Sequence, residues 1–279
     1  MHYWMPFSMM MLLAGVLILA SCTPQNERQI LTDPEFGKSL DTGYDYDQTT
    51  VNEQLEAIRE ANFSVIRTQM AIKGLSMDSP MLIRAFKSER KLELWVKSAY
   101  SPQYELFKSY DVCSTSGTLG PKLKEGDRQT PEGFYDVRPE RLNPNSRFFL
   151  SFNIGFPNKY DRNLGRTGSH LMIHGSCVSE GCLAMTDEHI GEIYLIVEQN
   201  FKYGHKSIPI HIYPFRMTEE NMRLRNISRW YPFWENMKEG YDYFERYSIP
   251  AKIEVEEDRY IIQENELVYS LLNTQQEIE

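Results

Sequence analysis

A basic surplus is missing from this sequence. Its 279 residues hold 30 Lys and Arg against 39 Asp and Glu, a formal charge of −9. Nucleic-acid binders cluster Lys and Arg in excess on one face, so no nucleic-acid partner is expected. Long hydrophobic runs are missing too. The apolar stretch MMMLLAGVLILASC (Met9–Cys22) is shorter than the roughly 20 residues that span a bilayer. Cysteine is scarce: four residues in 279 are far too few for a disulfide scaffold to replace a hydrophobic core. No internal repeat is apparent, which sets aside solenoids and propellers. What remains is a chain with 41% hydrophobic residues, long enough to bury a core in one large domain or two small ones.

The N-terminus reads as an address. An apolar run ending in small residues near the chain start has the form of a secretory signal core and cleavage site. Leu19-Ala20-Ser21-Cys22 resembles the lipobox of bacterial lipoproteins, whose cysteine is diacylated and becomes the new N-terminus. Met1–Ser8 departs from the pattern in having no Lys or Arg. The resemblance implies a signal peptide over 1–21, lipidation at Cys22 and attachment to a membrane through a lipid anchor. Thr23 rather than Asp after the cysteine points, by the same resemblance, to an outer-membrane lipoprotein facing the periplasm. That compartment is oxidising. Cys113, Cys177 and Cys182 then remain, an odd number that leaves at least one thiol free or paired between chains.

Residues 22–50 are polar and read as a tether. Over 51–91 a helical segment is expected, from Leu55, Ile58 and Asn62 at helical spacing in Val51–Phe63 and from Ser79-Pro80 as a helix start before MLIRAF. From 92 to 215 the pattern becomes strand-like, in LELWVK, YELFKSYDVC, GFYDV, RFFLSFNIG, HLMIHG and SIPIHIYPF, with Gly/Pro-rich connections. One helix interrupts it: TDEHIGEIYLIVEQNF, with Thr186 or Asp187 as N-cap and Ile190, Ile193, Tyr194, Val197 and Phe201 on one face. Residues 216–279 read as a helical, aromatic extension closing in a hairpin at EVEEDRYIIQENE. The expected class is α+β, mainly β with helices, a sandwich or barrel with helical extensions at both ends.

Chemistry concentrates in HLMIHGSCVSEGCLAM, His170–Met185, and three readings are open. In the first, His174, Cys177, Cys182 and His189, spaced H-x2-C-x4-C-x6-H, hold zinc. In the second, the cysteines are buried structural residues or form a Cys177–Cys182 or Cys113–Cys177 disulfide. In the third, a cysteine is a nucleophile. A thiolate attacks a carbonyl when a base takes its proton and donors meet the oxyanion. His174 at a strand end can present such a base. Gly181 lets the backbone bend beside Cys182, and the helix start downstream would lower the thiol pKa.

The segment IHGSCVSEGCLAMTD resembles the active-site signature of the YkuD-type L,D-transpeptidases, in their YafK-like branch: His174-Gly175, then Ser179-Glu180-Gly181-Cys182. STSGTLGPKLKEGDRQTPEGFYDV (Ser114–Val137) resembles the family's upstream block, and GRTGSHLMIHG and FRMTEENM…WYPFWENMKEGYDYFE resemble the branch itself. The similarity runs over about residues 75–250, in five blocks in the right order. It implies an L,D-transpeptidase-type β-sandwich or barrel domain over 92–215 in the bacterial cell envelope, with peptidoglycan stem peptides as partners and neither cofactor nor metal. Cys182 is then the nucleophile and His174 the general base. Gly181 and Cys182 supply oxyanion N–H groups, and Ser179 and Gly175 support the loop. His170 is read as structural.

Two departures from the family pattern stand out. Glu180 occupies a position where many members carry His, and Ala184 one where many carry Arg. A carboxylate beside the nucleophile disfavours the thiolate unless it points away. Lys159, Arg162 and Arg166 are read either as a solvated basic loop or as substitutes for the lost cation. Three functions follow: a transpeptidase passing the diaminopimelate acyl group to an amine; an amidase using water on the same thioester, including at bonds tethering a lipoprotein to peptidoglycan; and a non-catalytic envelope lipoprotein.

Overall fold

The computed structural model describes residues 48–268. The signal segment, the lipobox with Cys22 and all but the last residues of the tether lie outside the described residues. All described residues fall in one compact unit, Tyr44–Glu279. Among them no helix is long and apolar enough to cross a membrane.

Two sheets form the frame. The first has the order β3-β2-β1-β9-β4, from β1 (Met81–Phe86), β2 (Lys91–Lys97), β3 (Tyr104–Asp111), β4 (Gly133–Val137) and β9 (Ile208–Tyr213). All its neighbours are antiparallel except β1 and β9, which run parallel. The second has the order β5-β6-β7-β8, from β5 (Leu142–Ser146), β6 (Phe149–Asn153), β7 (Met172–His174) and β8 (Leu183–Ala184). Its last pair is parallel. A bridge between Ser114 and Ala184 joins the segment after β3 to β8. With its helices, the molecule is α+β, as expected.

The segment read from the sequence as a helix start, Ser79-Pro80 and beyond, is strand β1 instead. Every residue of β1 is buried. Ile83 and Ala85 enter the core shared with the helices over Gln48–Ile72 and Asp187–Lys202, whereas Leu82, Arg84 and Phe86 face the other side of the sheet. A central strand covered on both faces loses its polar alternation, so a short apolar run reads equally as a buried helix. Ser79 caps nothing: its carbonyl accepts from Asn200 Nδ2 at 2.8 Å, and the Pro80 carbonyl accepts from Lys97 N at 2.8 Å.

Helix α1 (Gln48–Ile72) runs well beyond the expected Val51–Phe63. Leu55, Ile66 and Met70 are buried and Ile58 and Phe63 pack beside them, while Asn62 is exposed. After α2 (Lys159–Asn163) comes α3 (Asp187–Lys202), where Thr186 is the N-cap, its hydroxyl accepting from His189 N at 3.2 Å. Ile190, Ile193, Tyr194 and Val197 fill the main core between the sheets. Gly191 is where α1 crosses: an added Cβ would stand 2.9 Å from Ile58 Cδ1.

The C-terminal extension covers the other face of the five-stranded sheet. It comprises α4 (Glu219–Arg223), α5 (Tyr231–Tyr247) and the expected hairpin, β10 (Lys252–Glu256) with β11 (Arg259–Gln263). Phe233, Trp234, Met237 and Tyr241 of α5 pack with Phe86, Phe134, Tyr213 and Phe215. Arg84 is almost fully enclosed there. Its guanidinium lies 4.5 Å from the Phe244 ring and 5.0 Å from Tyr241, and bonds Glu245 Oε1 at 2.8 Å. Such a cage keeps a buried cation tolerable through ring quadrupoles and one carboxylate.

His211 sits in the same layer, edge-on to Phe134 at 4.8 Å. Burial, then the Arg84 charge, push its pKa down from 6.5 to about 3. The unfolded chain takes up this proton near pH 6.5 and the folded chain only near 3. Stability is therefore full above pH 6.5 and falls as pH drops toward 3, by up to about 5 kcal/mol. Denaturant unfolding at pH 7 and pH 4 is expected to show a clearly smaller loss in His211→Phe than in the parent; equal losses would mean His211 titrates freely. Cys113 and Cys177 form a disulfide across 64 residues, with Cα atoms 5.2 Å apart. Closing a loop of that length is worth about 4 kcal/mol in the chain-entropy account. The Cys113→Ala/Cys177→Ala variant is expected to melt well below the parent, and an unchanged Tm would remove the disulfide from the list of stabilising contacts.

Candidate active site

The segment His170–Met185 folds as a strand, a tight loop and a second strand running parallel to the first. β7 and β8 pair Ile173 with Leu183 and His174 with Ala184. Between them the chain must reverse twice, and Ser176, Cys177 and Gly181 take positive φ of 66°, 54° and 121°. The last value belongs to glycine. Gly175 is needed for room: a Cβ there would stand 2.5 Å from Asp187 Oδ1 and 2.9 Å from the Phe148 carbonyl. The loop is then fixed by Ser176 N bonding Asp187 Oδ1 at 2.8 Å and Cys177 N bonding the Met185 carbonyl at 3.3 Å.

Cys182 is half-buried and is the free cysteine among the described residues. Its Sγ accepts from Met172 N at 3.4 Å and lies 3.7 Å from the His170 carbonyl. The Cys182 carbonyl is held by Ser179 Oγ at 2.8 Å and Thr130 Oγ1 at 3.4 Å. Gly181 N also donates to Ser179 Oγ, at 3.3 Å, so Ser179 spans the turn from both ends.

The thiol pKa moves against expectation. Burial, the largest influence, pushes it above the ordinary value of 9, with the Met172 N–H and Lys122 opposing and Glu180 adding. The helix start was expected to lower it. The N-cap hydroxyl of Thr186 and the Asp187–Ser176 bond occupy that end of α3 instead, and desolvation dominates. Glu180 is turned outward, half-exposed, and 3.7 Å from Arg128 Nε.

His174 is 3% exposed, and its ring lies 4.8 Å from that of Phe148. Nδ1 stands 2.7 Å from the carbonyl of Gly175. A carbonyl only accepts, so Nδ1 carries the hydrogen and Nε2 is the basic nitrogen. Burial lowers the imidazole pKa below 6.5, with the Gly175 carbonyl opposing. Along β7 the side chains of Met172 and His174 share one face, and Met172 N is the group that touches Cys182 Sγ. His170, read as structural, exposes its imidazole; it meets Cys182 through its carbonyl, with φ of 54°.

Zinc at the H-x2-C-x4-C-x6-H quartet is ruled out, because Cys177 is committed to Cys113. Among the described residues no group of three or more His, Cys, Asp or Glu converges as a metal site. The basic loop is also elsewhere engaged. Arg166 is buried on Asp161 at 2.9 Å, Lys159 donates to the Val255 carbonyl at 2.8 Å, and Arg162 donates to the Pro157 carbonyl. The cation that bears on Cys182 is Lys122, which the sequence reading did not single out. It is 3% exposed and bonds Asp127 Oδ1 at 2.6 Å. Gly168 makes room for it: a Cβ there would stand 2.6 Å from Lys122 Cε. The Asp127 carboxylate also takes the N–H groups of Leu123, Lys124 and Gln129.

The site geometry can be set beside known proteins. A family model, YkuD, the L,D-transpeptidase catalytic domain, matches residues 81–212. The chain is 48% identical over 186 residues to "Putative L,D-transpeptidase YafK" of Escherichia coli K12, a match covering 67% of this chain and 75% of that one. The protein of the same name in E. coli O157:H7 gives the same figures. Among solved structures, a variant of the helical cell shape determining protein Pgp2 from Campylobacter jejuni matches over 60% of each chain, at 20% identity and a TM-score of 0.41. The matched residues 81–212 contain both sheets, His174 and Cys182, and with nearly half of all positions identical over three quarters of YafK, the chain belongs to the YkuD L,D-transpeptidase family.

Proposed function

We propose that this chain is a cysteine acyltransferase of the cell envelope that remodels peptidoglycan, with Cys182 as nucleophile and His174 as general base. The observation that carries the reading is the free Cys182 thiol docked on Met172 N of β7, the strand that ends in His174, whose tautomer leaves Nε2 basic. As Sγ attacks the stem-peptide carbonyl at diaminopimelate, Nε2 takes the thiol proton. The oxyanion meets the Cys182 N–H, since Gly181 N–H is bonded to Ser179 Oγ. Collapse breaks the C–N bond, and the departing D-Ala amine receives the proton from His174, leaving a thioester. An acceptor amine then attacks, passes its proton to His174, and sulfur leaves to be reprotonated.

A thiol held above 9 and an imidazole held below 6.5 are both neutral at pH 7. Proton transfer therefore accompanies attack, without a resting thiolate–imidazolium pair. The family's arginine position is Ala184, which is fully buried and bridged to Ser114, so in this reading no side chain there meets substrate. Water in place of the amine makes the same site an amidase, and a lipoprotein bound to the wall becomes a partner. Attachment through Cys22 and an outer-membrane location complete the proposal.

Purified protein incubated with defined muropeptides is expected to yield cross-linked dimers by mass spectrometry. Trimmed monomers or released lipoprotein would assign the amidase. Cys182→Ala is expected to abolish both outcomes; turnover surviving in Cys182→Ala would undo the assignment of the nucleophile. In the pH dependence of kcat/KM, the acid limb is expected below pH 6.5, because the unprotonated imidazole persists to lower pH than in a free histidine. Alkylation of Cys182 by iodoacetamide should keep accelerating through pH 8 and 9; a plateau near neutrality would reveal a stable thiolate and refute the neutral pair.

A further inference from the structure

A cavity lies away from the 170–182 segment, none of whose residues lines it. Its walls come from β4, the β6–α2 connection, β9 and the β10–β11 hairpin, and it encloses about 560 Å³, within the range of ligand sites. Five cations reach it, Arg138, Arg141, Lys159, Arg162 and Lys252, against the single lining carboxylate Asp136. In a chain of net charge −9 this concentration is against the average.

The cations are only partly neutralised. Arg138 and Arg141 share Asp136, at 2.6 and 3.2 Å. Lys252 bonds Glu254 at 2.8 Å, and Lys159 lies in the field of that same carboxylate while bonding the Val255 carbonyl. Arg162 bonds the Pro157 carbonyl. Glu140 lies in the field of Arg138 and Glu266 in that of Lys252, so four carboxylates act on the five cations, two of them through direct bonds. Space is kept for one of them: Gly155, at φ +84°, would as any other residue place a Cβ 2.2 Å from Arg141 Nη1. Phe134, Tyr260, Ile253 and Val255 give the cavity an apolar floor and wall. A guanidinium fork matches a carboxylate or phosphate, and the apolar lining asks for carbon beside the anion.

We infer that this cavity is a second binding site that takes a peptide bearing free carboxylates. Its ligand as a peptidoglycan stem peptide rests on the function proposed above; the preference for a carboxylate-bearing peptide does not. A half-open concave cavity lined by both charged and apolar groups suits a peptide end, whereas a bilayer headgroup would meet a flat charged face. Held here, a neighbouring stem of the same polymer would raise the local concentration of substrate at Cys182 without touching the reacting atoms.

The test uses the full chain carrying Cys182→Ala, so that no probe is consumed. Hydrogen exchange is followed on adding the tetrapeptide L-Ala-γ-D-Glu-diaminopimelate-D-Ala, its carboxamide form, inorganic phosphate, or vesicles of anionic phospholipid. Slowed exchange across 252–263 is expected with the free-acid peptide and not with the other three. Adding Arg138→Gln with Arg162→Gln is expected to weaken peptide affinity at the hairpin at least about tenfold, as loss of charge-assisted bonds requires, with an unchanged melting temperature. In the chain with Cys182 intact, the same pair of changes should leave turnover of soluble muropeptide at the parent rate. No protection at the hairpin, equal protection by phosphate or vesicles, or unchanged affinity in the double variant would overturn the site. Protection at the hairpin without any turnover by the parent would leave the site standing and remove the proposed function instead.

Discussion

The buried ion pair between Lys87 and Glu132 is the contact on which the rest of the site depends. Both side chains are nearly or fully enclosed, with Nζ 2.9 Å from Oε1. Removing two charges from water costs several kcal/mol per ion, and the pair persists only if every remaining donor and acceptor is met. Here Lys87 Nζ also lies 2.9 to 3.0 Å from the carbonyls of Thr118, Gly120 and Thr130, so its three N–H groups are shared among four acceptors. Glu132 takes Gly120 N at 2.7 Å and Trp234 Nε1 at 2.8 Å. The turn after β1, the long connection before β4 and helix α5 thus converge on two side chains. That connection carries Thr130, whose hydroxyl holds the Cys182 carbonyl, and Lys122, the cation nearest in effect to its sulfur.

The same connection begins with a double staple. Cys113 is joined to Cys177, and Ser114 next to it exchanges two backbone hydrogen bonds with Ala184, at 3.0 and 3.1 Å. These two adjacent residues therefore grip the chain on both sides of Cys182. The intervening turn is short and carries three positive φ values, a conformation that the surrounding structure has to over-determine. Disulfide, bridge, Ser179 and Thr130 together do so. The disulfide has a chemical consequence as well. It removes Cys177 as a competing thiol five residues from Cys182, the proposed nucleophile.

How much of this was legible in the sequence depended on what each residue's neighbours were. β2 announced itself by alternating Leu92, Leu94 and Val96 with Glu93, Trp95 and Lys97. β1 did not, because both its faces are covered. β5, with the sequence LNPNS, and β8, two residues long, carry too little pattern to be read as strands. The motif pointed to His174, Ser179, Gly181 and Cys182 because their spacing is local. Lys122 stayed hidden, since a lysine among charged residues looks solvated until the fold buries it against Asp127. The disulfide stayed open among alternatives, because three cysteines do not say which strand ends are neighbours. The direction of the thiol pKa was misjudged for a related reason. A helix start can be read from sequence, but the burial that outweighs it cannot.

That reversal has a functional logic. Lys122 brings positive charge toward the sulfur, but Asp127 at 2.6 Å cancels most of it at a distance. Glu180, the carboxylate that would disfavour ionisation, is drawn to Arg128. Burial remains the largest influence on the Cys182 thiol and pushes its pKa up. A neutral thiol is a poor target for oxidants and alkylating agents, whose attack follows thiolate character. In the oxidising compartment proposed for this chain, a resting thiolate beside a disulfide would be open to exchange. In the mechanism proposed above, keeping the proton on sulfur until a carbonyl lies within reach, with Nε2 of His174 as the proposed base, would confine nucleophilicity to the moment of acyl transfer. The cost is a base of lowered pKa, a weaker proton acceptor. The geometry around Cys182 offsets that cost by fixing the sulfur, its carbonyl and the imidazole tautomer before substrate arrives.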